Sequence, residues 1–198
     1  MSLDEKVTLR NRLTELANAM ITDRKQADIT ALMNIIAPNG ATVAYDDLSA
    51  ANKIFLRTPQ KGAYNYQDRN RVSEFCNKLV TLMDNYYGVQ TPNYEALSEN
   101  WAGIQDPTQA QLSTYTSSVI AIRNFWYPYL EIPGSQPSIQ TIYQGISLAT
   151  ANNIEKVLKT INQYLNDKIF SVDPWYCGQY AANNSIVWSG INFYKGAL

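Results

Sequence analysis

Catalysis and metal binding require titratable side chains in convergent sets, and this sequence supplies few. It contains no histidine, which removes the commonest general base and the commonest metal ligand. Its two cysteines, Cys76 and Cys177, lie far apart and make no metal site by themselves. They read as two buried thiols, with a disulfide between them as the alternative. The adjacent carboxylates Asp4-Glu5 and Asp46-Asp47 have the composition of an acid–base pair. Both stand at expected helix starts, where acidic side chains complement the positive end of the macrodipole, and that role accounts for them. Glu95 and Glu99 are four apart, in a stretch broken by Pro92, Gly103 and Pro107 that offers no framework for a glycosidase pair. There is no Gly-x-Ser-x-Gly elbow and no glycine-rich phosphate loop. The expectation is a non-enzymatic chain without metal or cofactor.

The residues best suited to recognition lie at the C-terminus. Residues 174–198 hold a single charged side chain, Lys195, beside Trp175, Tyr176, Tyr180, Trp188, Phe193 and Tyr194. Tyr and Trp are favoured at interface centres because they bury large areas at low entropic cost. Rings flanked by Asn and Gln also stack on sugars. Asn183-Asn184 separates two short strand-like runs, 175–180 and 185–189, which suggests a hairpin. A segment so aromatic and uncharged is expected to pack on its own helices or dock on another chain. Those six aromatic residues are the candidate partner-binding set.

Composition excludes other partner classes. The net charge is −1, from 16 basic and 17 acidic residues with no block of like sign. Nucleic-acid binding needs a concentrated basic face, so no nucleic-acid partner is expected. No apolar run reaches the length of a membrane span. The N-terminus, MSLDEKVTLRN, carries charges where a signal peptide needs its apolar core, so synthesis in the cytoplasm without a leader is expected. Charged residues make up 17% of the chain, below the usual quarter. The polar remainder is rich in Asn, Gln, Ser and Thr, which suits packing against partners as well as facing water.

The elements that must position any site are helices. Apolar residues recur at helical spacing over 3–21, and Thr22-Asp23 is a candidate cap for a second helix with the stripe Ile29, Leu32, Met33 and Ile36. Pro38-Asn39-Gly40 ends it, and a short helix is expected over 46–55 with Leu48, Ala51, Ile54 and Phe55 inward. The clearest helix follows Asn65 or Asp68 as cap. Val72, Phe75, Cys76, Leu79, Met83 and Tyr86 form its apolar stripe, Arg69, Ser73, Asn77, Lys78, Thr81 and Asn85 its polar face, and Gly88 its stop. Residues 89–107 are irregular, anchored by Trp101. A helix opened by Asp106-Pro107-Thr108 runs to Pro128, residues 130–146 form a loop, and a last helix covers 147–169. Shifted by 82 positions, the stripes of the 65–88 and 147–169 helices coincide, as a duplicated hairpin would give and as any two amphipathic helices can. The fold expected is mainly α: an irregular bundle of about six helices in residues 1–173, closed by the aromatic hairpin or extended arm of residues 174–198.

Several short motifs run in a fixed order along these helices. Thr22 to Asp28 reads TDR-x-QAD, and Lys61 to Val72 reads KGAYN-x-x-D-x-NRV. Trp101 is followed by Asp106-Pro107-Thr108, and Ala151 to Glu155 reads AN-x-IE. An aromatic run at 175–178 and a Ser-Gly at Ser189-Gly190 close the set. Together they resemble a helical module of phage and prophage virion structural proteins from Gram-positive gut bacteria. The likeness covers most of residues 22–190. It departs at Arg69, where that family carries an apolar residue, and at Cys177, where it carries a serine-like one. The resemblance implies a virion component of the tail, baseplate or fibre region. Other virion proteins and further copies of itself would be its partners. A cell-wall glycan-binding adhesin or a head–tail connector are the alternative roles.

Overall fold

The computed structural model describes residues 2–56, 61–103, 107–141 and 146–171. The six C-terminal aromatic residues and the expected hairpin lie outside the described residues. The elements are α1 (Leu3–Asn18), α2 (Gln26–Ile36), α3 (Ala50–Leu56), α4 (Tyr66–Tyr87), α5 (Gln109–Tyr129) and α6 (Leu148–Leu165). Among the described residues there is no strand, and no helix is long and apolar enough to cross a membrane.

Helix α4 is the hub. It packs against α1, α5 and α6, and both α1 and α5 also pack on α6. Val72, Phe75, Cys76, Leu79, Leu82 and Met83 are completely buried, each contributing roughly 1.5–3 kcal/mol before entropy is subtracted. The facing stripe of α6, Ile154, Val157, Leu158, Ile161 and Leu165, is equally buried. Both stripes face the same core.

The ends of α4 follow from local chemistry. Asn65 is the N-cap, its side-chain oxygen accepting from the Gln67 and Asp68 N–H groups, while Asp68 accepts from the Asn65 N–H at 2.9 Å. Gly88 takes a left-handed conformation (φ 65°), and the Val89 N–H reaches back to the Met83 carbonyl at 3.0 Å. Such a position favours glycine because it has no Cβ to clash. In α5 the Thr108 hydroxyl caps the Gln111 N–H. Pro128 sits inside the last turn and the helix ends at Tyr129. Helix α6 passes into a π-helical turn, Asn166–Phe170, where the sequence reads one continuous helix.

Three local expectations are corrected. Helix α1 stops at Asn18 and α2 begins at Gln26, so Thr22-Asp23 is no cap. Instead the Asp28 carboxylate accepts from the Lys25 N–H at 2.7 Å. Asp46-Asp47 lie in a short 3-10 turn ahead of α3 rather than at its start. Of the expected inward residues of α2 and α3, Leu32 and Leu48 are buried, while Met33 is 46% and Ile54 65% exposed.

The polar face of α4 is not a solvent face throughout. Ser73 is fully buried and accepts from the Trp101 indole N–H at 3.0 Å. Asn70 accepts from the Trp101 backbone N–H at 2.7 Å, and Asn77 bonds both the N–H and the carbonyl of Leu97. The irregular segment 89–103 has no ladder of its own, so its backbone groups are satisfied by these helical side chains. Trp101 is the anchor expected from the sequence, 2% exposed and edge-on to Tyr115. Arg69 lies over the indole at 5.5 Å, which explains a charged residue at that edge of the helix.

Candidate functional site

The titratable residues that the fold brings together are Arg24, Asp68, Arg71 and Glu155. The Arg24, Asp68 and Glu155 side chains are fully buried, and Arg71 is 9% exposed. Arg24 comes from the extended segment between α1 and α2. Asp68 and Arg71 share one face of the first turns of α4, three residues apart, and Glu155 projects from the second turn of α6.

Arg24 Nη2 donates to Asp68 Oδ1 at 2.9 Å and to Glu155 Oε1 at 2.8 Å. Arg71 Nη2 lies 2.5 Å from Asp68 Oδ1 and 3.0 Å from each Glu155 oxygen. The Ile21 N–H also donates to Glu155, and Arg24 Nη1 returns to the Ile21 carbonyl. Asp68 thus does two jobs: Oδ2 closes the capping box of α4 and Oδ1 receives both guanidinium groups. Asn152 pins the Arg24 backbone from α6, accepting from its N–H and donating to its carbonyl, both at 3.0 Å. The Tyr64 ring lies 5.1 Å from the Arg24 guanidinium, and its hydroxyl bonds the Tyr115 hydroxyl at 2.5 Å.

The electrostatics follow from burial. Taking Glu155 out of water pushes its carboxyl above the usual carboxylate range, against the pull of Arg71, Arg24 and the Ile21 N–H. Burial works against the Arg71 charge too, but Glu155 and Asp68 outweigh it and leave that guanidinium more firmly protonated than usual. Tyr64 and Tyr115 are pushed up, mainly by burial. The Nε–H groups of Arg24 and Arg71 are buried and find no acceptor among the described residues, a cost the carboxylates must exceed. With two cations and two anions the site is neutral, and each carboxylate is occupied by guanidinium and backbone donors. Its chemistry is that of a clip joining the 21–25 segment, α4 and α6.

The chain on the far side of α3 is fastened beside the clip. Lys61 pairs with Asp23 at 2.6 Å. Gly62 runs so close to α2 that a Cβ there would meet the Asp28 carbonyl oxygen and lie 2.8 Å from Leu32 Cβ. The motif letters therefore bind one another. TDR-x-QAD supplies Asp23, Arg24 and Asp28; KGAYN-x-x-D-x-NRV supplies Lys61, Gly62, Tyr64, Asn65, Asp68, Asn70 and Arg71; AN-x-IE supplies Asn152 and Glu155.

The motifs are legible in the sequence, but the common role of their four charges is not. Arg24 stands 44 positions from Asp68 and 131 from Glu155, and no periodicity spans such gaps. The carboxylates of Asp4-Glu5, Asp46-Asp47 and Glu95 with Glu99 lie outside this cluster. Glu5 caps the Ser2 N–H, Asp46 and Asp47 are exposed, and Glu99 accepts from Asn77. A surface groove of about 360 Å³ beside the clip is lined by Arg12, Glu15, Gln67, Asn70, Arg71 and Glu74, where Arg12 is already paired with both glutamates. Cys76 is buried and free, and burial pushes its thiol far up. Among the described residues no three His, Cys, Asp or Glu side chains group as a metal site. The candidate residues Trp175, Tyr176, Tyr180, Trp188, Phe193 and Tyr194 lie outside the described residues.

Comparisons with protein-family models, with curated proteins and with solved structures returned no match to this chain.

Proposed function

We propose that this chain is a non-enzymatic structural subunit of a phage or prophage virion, belonging to the tail, baseplate or fibre apparatus, and that it assembles with further copies of itself and with other virion proteins. The observation that carries the proposal is the convergence of three motif pieces on one buried, neutral clip. The residues behind the resemblance to virion proteins serve the framework of the fold, which is where a family of assembly subunits would need constant residues. Partner contacts then fall to surfaces away from the clip. Met33 and Ile54 offer apolar area on α2 and α3, and the aromatic residues of the C-terminal sequence are the second candidate set. Interfaces of Tyr, Asn and Gln tolerate changes of salt, because burial and hydrogen bonds are screened less than ion pairs.

The test is quantitative mass spectrometry of purified particles from an induced lysate, followed by locating the chain in an electron-microscopy map of those particles. A fixed copy number in the particle is the expected result. Recovery only in the soluble fraction, as a monomer by light scattering with virion proteins present, would overturn the proposal. Binding of wall glycan that is lost in Trp175→Ala and Trp188→Ala variants, with assembly intact, would assign an adhesin role instead.

A further inference from the structure

We infer that residues 26–56 form an arm that opens from the helical bundle as one cooperative unit, with the Arg24 clip as its catch.

The continuous core of the bundle runs through α1, α4, α5, α6 and the connections beyond α4, and it contains no side chain from the described residues of 21–56 or 61–63. Within the arm, Leu32 and Leu48 are the buried apolar residues, each 9% exposed. Among the described residues, hydrogen bonds within the arm link Thr30 to the Gln26 carbonyl, the Val43 N–H to the Ile36 carbonyl, the Asn52 N–H to Ser49, and Lys53 to the Asp46 carbonyl. Among the described residues, the contacts that fasten the arm to the bundle lie at its two ends, and both ends meet beside the clip. The incoming end is held by Arg24 on Asp68 and Glu155 and by Asn152 on the Arg24 backbone. The outgoing end is held by Lys61 on Asp23 and by Gly62 against Asp28 and Leu32.

A segment fastened at its base and absent from the core can open without breaking the core, which is the condition for a separate cooperative unit. Once free, α2 with 11 residues and α3 with 7 are too short to persist as isolated helices. Opening therefore exposes their amides together. It also adds Leu32 and Leu48 to the apolar side chains already at the arm's surface.

Hydrogen exchange read by mass spectrometry on the full chain tests this. In the wild type, peptides from α2 and α3 are expected to exchange at a common rate, about 100-fold or more faster than those of α4 and α6. Arg24→Met is expected to speed both arm helices by the same factor, about tenfold or more. Leu79→Ala, which cuts the core but not the clip, is expected to speed α4 and α6 and leave the arm unchanged. Three results would each overturn the inference: α2 and α3 exchanging at the rate of α4; Leu79→Ala accelerating the arm as much as the bundle; or a folded Arg24→Met protein with unchanged arm exchange. Should Arg24→Met not fold, the wild-type and Leu79→Ala profiles still decide whether the arm is a separate unit. Asp23→Ala with Lys61→Ala then tests the fastening at its base, with faster arm exchange supporting it and no change opposing it.

Discussion

Changing Glu155 to glutamine removes one of two negative charges from a buried site that holds two guanidinium groups. Arg24 Nη2 lies 2.8 Å and Arg71 Nη2 3.0 Å from Glu155. The charge centres are then about 4 Å apart, and each attraction is worth about 4 kcal/mol at an effective dielectric of about 20. Desolvation offsets much of that in the intact clip. Removing one partner leaves the desolvation in place and the compensation gone, so Glu155→Gln alone is expected to cost about 3–5 kcal/mol. Arg24→Met creates the opposite imbalance and is expected to cost a similar amount. The double variant restores neutrality. It keeps the Arg71–Asp68 pair and leaves a glutamine oxygen to accept the Ile21 N–H. Its cost is expected to fall short of the sum of the single costs by about 2–3 kcal/mol. Urea unfolding followed by circular dichroism and tryptophan fluorescence measures all four proteins, with an unchanged m-value as the check that unfolding remains comparable. Single costs that add to within about 0.5 kcal/mol would refute the coupling, because independent sites add that closely.

Gly62→Ala should cost about 1–3 kcal/mol, since its Cβ would press on backbone at Asp28 that has no rotamer to yield; an unchanged urea midpoint would count against that close approach. The exposed Arg12–Glu74 pair is a milder case. Its hydrogen bond to Arg12 holds the Glu74 carboxyl below its ordinary 4.5, so its contribution is present above pH 4.5 and is lost as pH falls through the lower folded value. Glu74→Gln should therefore cost at most about 1 kcal/mol at pH 7, and the difference from wild type should shrink as the pH drops below 4.5. A difference that grows on acidification would reverse the assigned sign. Cys76, in a Cys177→Ser background, should resist a thiol reagent in the native state and react on unfolding, because the buried thiol is held far from ionisation. Rapid native labelling would place it outside the core.

The bundle was readable because its signals are local. The α4 stripe from Val72 to Met83, the Asn65 cap and the Gly88 stop each follow from spacing within a few residues, and the α6 stripe likewise. What the sequence hid was tertiary. Thr22-Asp23 looked like a cap because a short polar pair precedes an apolar pattern. The segment stays extended because Arg24 is drawn to carboxylates on two distant helices. Ser73 and Asn77 looked like solvent-facing residues, yet an irregular segment some twenty positions on needs their hydrogen bonds. Met33 and Ile54 sit at helical spacing but face outward, since α2 and α3 have no core to cover.

The central claim is that the signature charges form a buried lock of the fold, and the guanidinium protons of Arg24 and Arg71 report on it most directly. In arginine-labelled protein at neutral pH, nuclear magnetic resonance should show slowly exchanging Nη protons for both residues, with hindered rotation about the guanidinium bond. The Arg24 signals should vanish in Arg24→Met, and the Arg71 signals should shift in Glu155→Gln. Arginine signals that are all rapidly exchanging and rotationally averaged, as those of solvent-exposed side chains are, would contradict it.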